Sequence, residues 1–318
     1  MHVNGERDFV GYGRHPPDPR WPAGAKLAIN FVVNVEEGGE PSVPDGAPRS
    51  ESALTELGPQ PSDVRGRDLA AESMFEYGSR VAVWRVFDLF AFAGMPCTVF
   101  ACAEALRRNR DLCAAIRERG HDVCAHGFRW EKHYELDEDT ERDRIRKAVQ
   151  SIRDTAGARP LGWYCRYGPS LNTRRLLVEE GGFLYDSDSY ADELPFWVGE
   201  GGKSHLVVPY SLATNDTKFV RGGIATGAQF YEFLRDSVEV LLAEGARTPK
   251  MMSVGLHPRL VGHPGRFKGL QQFVHWLGER DGIWIARRID IARHWMSVHP
   301  PDRRQSEDEP KTDIEALP

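Results

Sequence analysis

Hydrophobic runs alternate with amphipathic segments along most of the chain. Residues 26–35 (KLAINFVVNV) form a nearly continuous, β-branched run without Gly or Pro, which predicts a strand buried on both faces. Further apolar runs predict strands at 97–102, 121–126, 161–165, 183–185, 205–210, 250–257 and 283–286. Apolar positions at helical spacing predict helices over 79–93, 106–120, 137–156, 172–180, 227–244 and 288–297. Because strands and helices alternate throughout, we predict an α/β protein with a parallel sheet.

One long stretch interrupts this alternation. Residues 38–70 are rich in Gly, Pro and Ser, and so long a loop in a compact enzyme is usually a lid, an interface arm or a disordered segment. We favour a lid or an arm. No later linker divides the pattern, which predicts one domain over 26–299, an N-terminal extension at 1–25, and a charged, disordered tail at 300–318.

Composition narrows the possible partners and the compartment. The 318 residues carry a formal net charge of −6, which gives no reason to expect a nucleic-acid or membrane partner. No apolar run approaches the ~20 residues that span a bilayer. The N-terminus, with Glu6 and Asp8, lacks the basic start and apolar run of a signal peptide. Together with five cysteines that form no CxxC pair, this predicts a cytoplasmic protein with reduced thiols.

Polar side chains follow several predicted strands, at the ends where parallel β/α folds collect function. They are Asn34, Glu36 and Glu37 after the first strand, His126 after the third, Cys165 and Arg166 after the fourth, residues 210–216 after the run 205–210, and His257 and Arg259 after 250–257. Each also has a structural interpretation: an acidic turn at 36–40, hydrogen-bonded histidines, or ion pairs of the two arginines. Their joint placement favours a catalytic site.

Long segments around these positions resemble the polysaccharide deacetylase (NodB-type) superfamily. Within it, the match is to the cofactor-independent allantoinases of bacterial purine breakdown. The segments include NFVVNVEEGGE (30–40), GHDVCAHGFRW (120–130), GGFLYDSDSYADELPFW (181–197) and PKMMSVGLHPRL (249–260), and the resemblance extends over residues 7–297. It implies a distorted (β/α) barrel, hydrolysis of carbon–nitrogen bonds other than peptide bonds, and a homo-oligomer.

The resemblance also bears on a metal cofactor. Metal-using deacetylases place an Asp base, an Asp ligand and two His, four residues apart, where this chain has Asn34, Glu36, His126 and Trp130. An amide cannot act as a general base, and an indole cannot coordinate zinc. We therefore expect no cofactor. If zinc does bind, Glu36, His126 and His133 are the expected ligands.

The expected reaction is the ring-opening hydrolysis of allantoin, or of a related cyclic amide or ureide. Without a Lewis acid, a side chain must activate water, and fixed donors must hold the oxyanion. Glu36 or His126 is the candidate base, and His257 is the candidate acid. The expected substrate-binding residues are Asn34, Glu37, Trp130, Arg166, Tyr167, Tyr210, Asn215, Asp216 and Arg259.

Two other functions stay open at this point. The segment WYCRYGPSLN (163–172) differs from the corresponding allantoinase stretch, and its RYGPS is nearer to a sugar-deacetylase motif. An N-acyl sugar deacetylase is therefore the enzymatic alternative. A catalytically silent barrel that binds a small molecule is the alternative of another class, and Asn34 at the base-like position is its main support.

Overall fold

The structure, a computed structural model, describes residues 7–58 and 62–301. The predicted tail lies almost entirely outside these residues, as do the first six positions of the N-terminal extension and residues 59–61 of the long loop. The division into one domain with an extension and a tail stays a prediction. Within the described ranges, every helix is too short or too polar to span a membrane.

The strands form one curled sheet that stays open at its edges. Over the described residues they are β1 (Leu27–Val35), β2 (Thr98–Ala101), β3 (Asp122–Ala125), β4 (Gly162–Trp163), β5 (Tyr185–Asp186), β6 (Phe196–Glu200), β7 (Lys203–Val207), β8 (Lys250–Leu256) and β9 (Ile283–Ile285). The spatial order is β6-β7-β5-β4-β3-β2-β1-β8, and β9 pairs with β1. All pairings are parallel except β6 with β7. This confirms the predicted α/β class and the distorted (β/α) barrel.

Helices cover the sheet and connect its strands. They are α1 (Leu69–Tyr77), α2 (Val83–Ala93), α3 (Ala103–Arg108), α4 (Arg110–Glu118), α5 (Glu138–Ala156), α6 (Thr173–Glu180), α7 (Lys218–Arg221), α8 (Gly227–Glu244), α9 (Pro258–Val261), α10 (Pro264–Gly278) and α11 (Arg288–Val298). A π-helical turn at Gly78–Ala82 joins α1 to α2. The single helix predicted over 106–120 is broken at Asn109, whose side chain caps α4 through the Leu112 N–H.

The core surrounds β1, whose nine residues are all buried, as the continuous apolar run predicted. On the helix side, the Phe31 ring packs against Phe90 and Phe273 at centroid distances of 4.9 and 6.2 Å. All five cysteines are buried and free. The resulting packed sheet fixes the strand ends in space, and the candidate residues sit at those ends.

Candidate active site

The carboxyl ends of β1, β3, β4 and β8 meet around one pocket of about 80 Å³. Its wall contains Asn34, Glu36, His126, Trp130, Tyr164, Arg166, Tyr167, Tyr210, Leu212, Asn215, Thr217, Arg221 and His257, together with Ala53 and Leu54 from the long loop. A pocket of this size is well below the several hundred Å³ that enclose a drug-sized ligand. It suits a small molecule.

Glu36 is the centre of the polar groups in this pocket. Its Oε1 lies 3.2 Å from His126 Nε2 and 3.6 Å from His257 Nε2, and its Oε2 lies 2.6 Å from Arg259 Nη2. Burial alone would raise the pKa of this carboxyl, but Arg259 and the two histidines lower it well below its usual value. Glu36 is therefore ionised and placed between two imidazoles.

His257 is held in the protonated form by acidic neighbours. Its Nδ1 donates to Asp216 Oδ1 at 2.7 Å, and its backbone N–H donates to Asp216 Oδ2 at 2.6 Å. Burial would lower the pKa of His257, but Glu36 and Asp216 raise it to about 9. The ring can therefore give up a proton at neutral pH.

A short parallel bridge between Asn215 and Gly255 places Asp216 beside His257. The Asp216 N–H donates to the Gly255 carbonyl at 3.0 Å, and the Gly255 N–H donates to the Thr214 carbonyl at 3.0 Å. Residues 214–216 thus run alongside β8 on its free edge. This contact carries both Asn215 and Asp216 to the pocket.

Both ring nitrogens of His126 face a hydrogen-bond acceptor. Nδ1 lies 2.8 Å from the Tyr164 carbonyl oxygen, which can only accept, so Nδ1 carries a hydrogen. The Tyr164 ring stacks on the imidazole at 5.2 Å and 11°. The other nitrogen, Nε2, lies 3.2 Å from Glu36 Oε1, and because an ionised carboxylate only accepts, Nε2 is the donor in this contact.

Arg259 lies behind the pocket and makes no part of its wall. Besides Glu36, it bonds Glu37 Oε1 at 3.1 Å through Nη1 and the Leu54 carbonyl at 2.8 Å through Nε. Burial raises the pKa of Glu37, while Arg259 opposes that rise. The guanidinium thus holds two buried carboxylates and the long loop together.

The long loop covers the pocket from one side. Ala53 and Leu54 form part of the wall, and Glu51 Oε2 accepts from Arg166 Nη2 at 2.6 Å. The Arg166 guanidinium also lies 3.7 Å from the centre of the Trp130 ring and donates to the Trp130 carbonyl at 2.8 Å. Two of the Arg166 donors are thereby engaged within the protein, and the loop is fastened to the rim.

The donor set does not fit a tightly bound catalytic metal, which members of the superfamily use. Arg259 already supplies a positive charge beside Glu36, and Trp130 stands where a second histidine would be needed. His133 Nδ1 is bonded to Glu141 Oε1 at 3.0 Å, and its ring packs edge-on against Trp163. In residues 7–58 and 62–301, no group of three His, Cys, Asp or Glu side chains is arranged to hold a metal ion. That the protein needs no cofactor stays a prediction.

The structure brings most of the predicted site residues to this pocket. Glu37, Asp216 and Arg259 are the exceptions, and each contacts a residue that lines it. Sequence reasoning missed Tyr164, because an aromatic residue in a strand is typical of core. It also missed Arg221, which lies at the end of α7, a helix too short to leave a periodic signal. The catalytic and binding roles themselves stay predictions.

Comparisons with known proteins agree with this architecture. The family model described as Polysaccharide deacetylase matches residues 65–185. A Schizosaccharomyces pombe relative, whose name assigns it to the polysaccharide deacetylases, is 39% identical over 314 residues, covering 92% of this chain and 98% of the relative. The Helicobacter pylori peptidoglycan deacetylase is 27% identical over 230 residues, covering 70% of this chain and 72% of that protein. The crystal structure of PuuE allantoinase has a TM-score of 0.90 and 46% identity, covering 94% of this chain and 100% of that one. The resemblance inferred from the sequence is confirmed.

Proposed function

The chain belongs to the polysaccharide deacetylase family, as a hydrolase of carbon–nitrogen bonds, and we propose that it opens the ring of allantoin or of a related cyclic ureide. The observation that carries the proposal is the small pocket, in which Glu36, His126 and His257 meet, while the described residues offer no fitting metal-ligand set. The similarity to PuuE allantoinase over nearly the whole chain supports the same substrate class.

The proposed reaction begins with a water molecule in the pocket. Glu36, the ionised carboxylate in the pocket wall, accepts a proton from this water. His126 Nε2, 3.2 Å from Glu36 Oε1, holds this carboxylate in place as a hydrogen-bond donor. The water oxygen bonds to the ring carbonyl carbon. His126 is the weaker candidate for the base, because both of its ring nitrogens face acceptors and have no free lone pair for the proton of water.

The second half of the reaction breaks the ring. The tetrahedral carbon expels the ring nitrogen, which takes a proton from His257 as the carbon–nitrogen bond breaks. A histidine whose pKa is about 9 carries that proton at neutral pH, and Asp216 orients it through Nδ1. The new carboxylic acid returns a proton to His257, and the base releases its proton to solvent, so the products are a carboxylate and a free carbamoyl nitrogen on one open chain. None of these steps requires a metal ion, for which the described residues offer no fitting ligand set.

A second candidate function is the removal of an acyl group from an N-acylated sugar. The similarity to a peptidoglycan deacetylase over about 70% of both chains favours it. The exposed Tyr167, at the pocket mouth and 6.2 Å from the Tyr190 ring, would give a sugar an aromatic surface to stack on. The loop residues Ala53 and Leu54 in the pocket wall favour the small ring instead, because a polymer needs an open groove.

The test is turnover by the purified protein. Allantoin, hydantoin and N-acetylglucosamine oligomers are supplied separately, and allantoate, ring-opened product or acetate is measured. We expect allantoate, and we expect His257→Ala to lower kcat by about 10²-fold or more while the variant still binds substrate. His275→Ala, which removes an exposed histidine outside the pocket, is the matched control and should match wild type.

The outcomes separate the three hypotheses. Acetate without allantoate would replace the ureide proposal with the deacetylase. Binding of allantoin without turnover, unchanged by His257→Ala, would indicate the silent barrel.

A further inference from the structure

Tyr210 lies in the pocket wall with the orientation of its hydroxyl restricted by a neighbouring amide. The Thr217 backbone N–H donates to Asn215 Oδ1 at 2.9 Å, which fixes the amide so that Nδ2 faces the tyrosine. That Nδ2 then donates to the Tyr210 oxygen at 3.1 Å. The phenol oxygen is therefore an acceptor in this contact, and its own hydrogen must go elsewhere.

No residue in the described part of the chain accepts that hydrogen. Asn34 is the other amide beside the Tyr210 oxygen, and its Nδ2 donates to the Leu256 carbonyl at 3.2 Å. Its influence on the phenol is that of a second donor. Tyr210 is only 3% exposed, and burial raises its pKa, so the hydroxyl keeps its hydrogen at neutral pH. A buried hydroxyl hydrogen without a protein acceptor is available to a ligand.

We propose that Tyr210 is a catalytic residue whose hydroxyl donates to the carbonyl oxygen that is attacked, and so stabilises the oxyanion. This inference rests on the proposed hydrolysis. When the water oxygen bonds to the carbonyl carbon, the carbon–oxygen π pair moves to the carbonyl oxygen, which becomes negative. The Tyr210 O–H holds this charge until the pair returns and the carbon–nitrogen bond breaks. Fixed donors of this kind typically contribute about 10²–10³ in kcat.

The same arrangement explains the amide at position 34. A carboxylate there would accept the Tyr210 hydrogen and turn it away from the substrate, whereas the Asn34 amide offers a donor. Asn34→Asp would restore the acid expected in metal-using relatives, yet we expect it to lower kcat, because the hydroxyl would then donate to the introduced carboxylate rather than to the oxyanion.

Kinetics provides the first test. Tyr210→Phe should lower kcat by about 10²-fold and leave KM within about threefold, because the hydrogen bond strengthens only as charge develops. Tyr185→Phe is the matched control, since it removes another buried phenol hydroxyl that lies outside the pocket wall, and its kcat should equal that of wild type. A Tyr210→Phe enzyme with kcat within about threefold of wild type would overturn the inference.

A second measurement does not depend on the substrate. Neutron diffraction from ligand-free crystals in D₂O locates the Tyr210 deuterium. A deuterium directed into the pocket supports the inference even if allantoin is not the substrate, so that the two proposals can fail separately. A deuterium directed at Asn34 or at any other protein acceptor would overturn it.

Discussion

At the scale of single residues, the protonation of His257 depends on two carboxylates. Asp216 contacts Nδ1 at 2.7 Å, and Glu36 Oε1 lies 3.6 Å from Nε2. Both raise the pKa of the ring, against the effect of burial, to about 9. If His257 is the general acid, activity must fall as the pH rises through that value, because the neutral ring has no proton to give.

The first prediction concerns this basic limb of the pH profile. Asp216→Asn removes one of the charges that stabilise the imidazolium, so the pKa of His257 should fall and the decline of kcat/KM should begin at a lower pH than in wild type. The measurement is kcat/KM between about pH 5 and 10. Asp236→Asn, an exposed carboxylate on α8, is the control and should leave the profile unchanged. An unshifted limb in Asp216→Asn would assign it to another group.

The sequence could predict a site residue where a strand end places it, but not where a contact with a distant residue places it. Glu36, His126 and His257 were predicted because each follows a buried strand, and parallel strands end on one rim. The position of Arg259 behind Glu36 could not be predicted, because residues at the same strand end can face the pocket or lie behind it. The pairing of Arg166 with Glu51 depends on how the long loop folds back, which no periodicity encodes.

At the scale of elements, β8 brings a glycine against the pocket. A Cβ at Gly255 would lie 2.1 Å from Tyr210 Oη and 2.2 Å from Asn215 Nδ2, distances that no real contact shows. The second prediction is that Gly255→Ala displaces both side chains, lowers kcat at least about tenfold, and costs about 1–3 kcal/mol in the free energy of unfolding. Activity and urea unfolding are measured together.

The control for this prediction is Gly199→Ala. Gly199 also lies in a strand, β6, but a Cβ there would meet no atom within 4 Å. It should change neither kcat nor stability beyond about 0.5 kcal/mol. Equal activity of Gly255→Ala and wild type would show that the pocket tolerates a shifted Tyr210.

The helices and strands were predicted where their hydrophobic pattern continues over many residues, and missed where the pattern is short or absent. The nine-residue run of β1 and the helical period of α5 left clear patterns. Strand β7 overlaps the strand predicted at 205–210, but β6 was missed, although Gly201 and Gly202, both at positive φ, form the two-residue turn that a Gly-Gly pair favours. Its outer strand is half exposed, so its sequence lacks the apolar run used to find the other strands.

At the scale of the whole molecule, Arg288 joins parts of the barrel that the sheet leaves apart. Its guanidinium, fully buried, donates to Asn30 Oδ1 at 2.8 Å on β1, to Ser253 Oγ at 2.9 Å on β8, and to the Pro209 carbonyl at 2.9 Å beyond β7. Strands β7 and β8 lie near opposite edges of the open sheet. The side chain therefore closes the barrel with hydrogen bonds where strand pairing does not.

The third prediction follows from this position. Arg288→Met should lower the free energy of unfolding by about 2–4 kcal/mol, because several buried acceptors lose their donor at once. Burying the charge of Arg288 has a free-energy cost, as its lowered pKa indicates, and the Met variant avoids that cost. The variant nevertheless leaves the acceptors of Arg288 buried without a donor. Urea unfolding measures the difference. Arg287→Met, which removes a partly exposed pair with Asp290, should cost about 1 kcal/mol or less. If both variants lost the same free energy of unfolding, Arg288 would contribute no more to stability than an ordinary surface ion pair.

The last prediction concerns metal removal from the intact enzyme. The guanidinium of Arg259, 2.6 Å from Glu36, already balances the charge that a divalent ion would balance, and an added cation would be repelled by it. We therefore expect turnover to survive exhaustive dialysis against a chelator, and added zinc to give no increase.

The Trp130→His variant is the sharper test: it supplies the missing imidazole, but with Arg259 in place it should still bind no zinc by calorimetry. Loss of wild-type activity on chelation, restored by zinc, would mean that Glu36 and His126 recruit a third ligand, and it would transfer the activation of water from Glu36 to a metal ion.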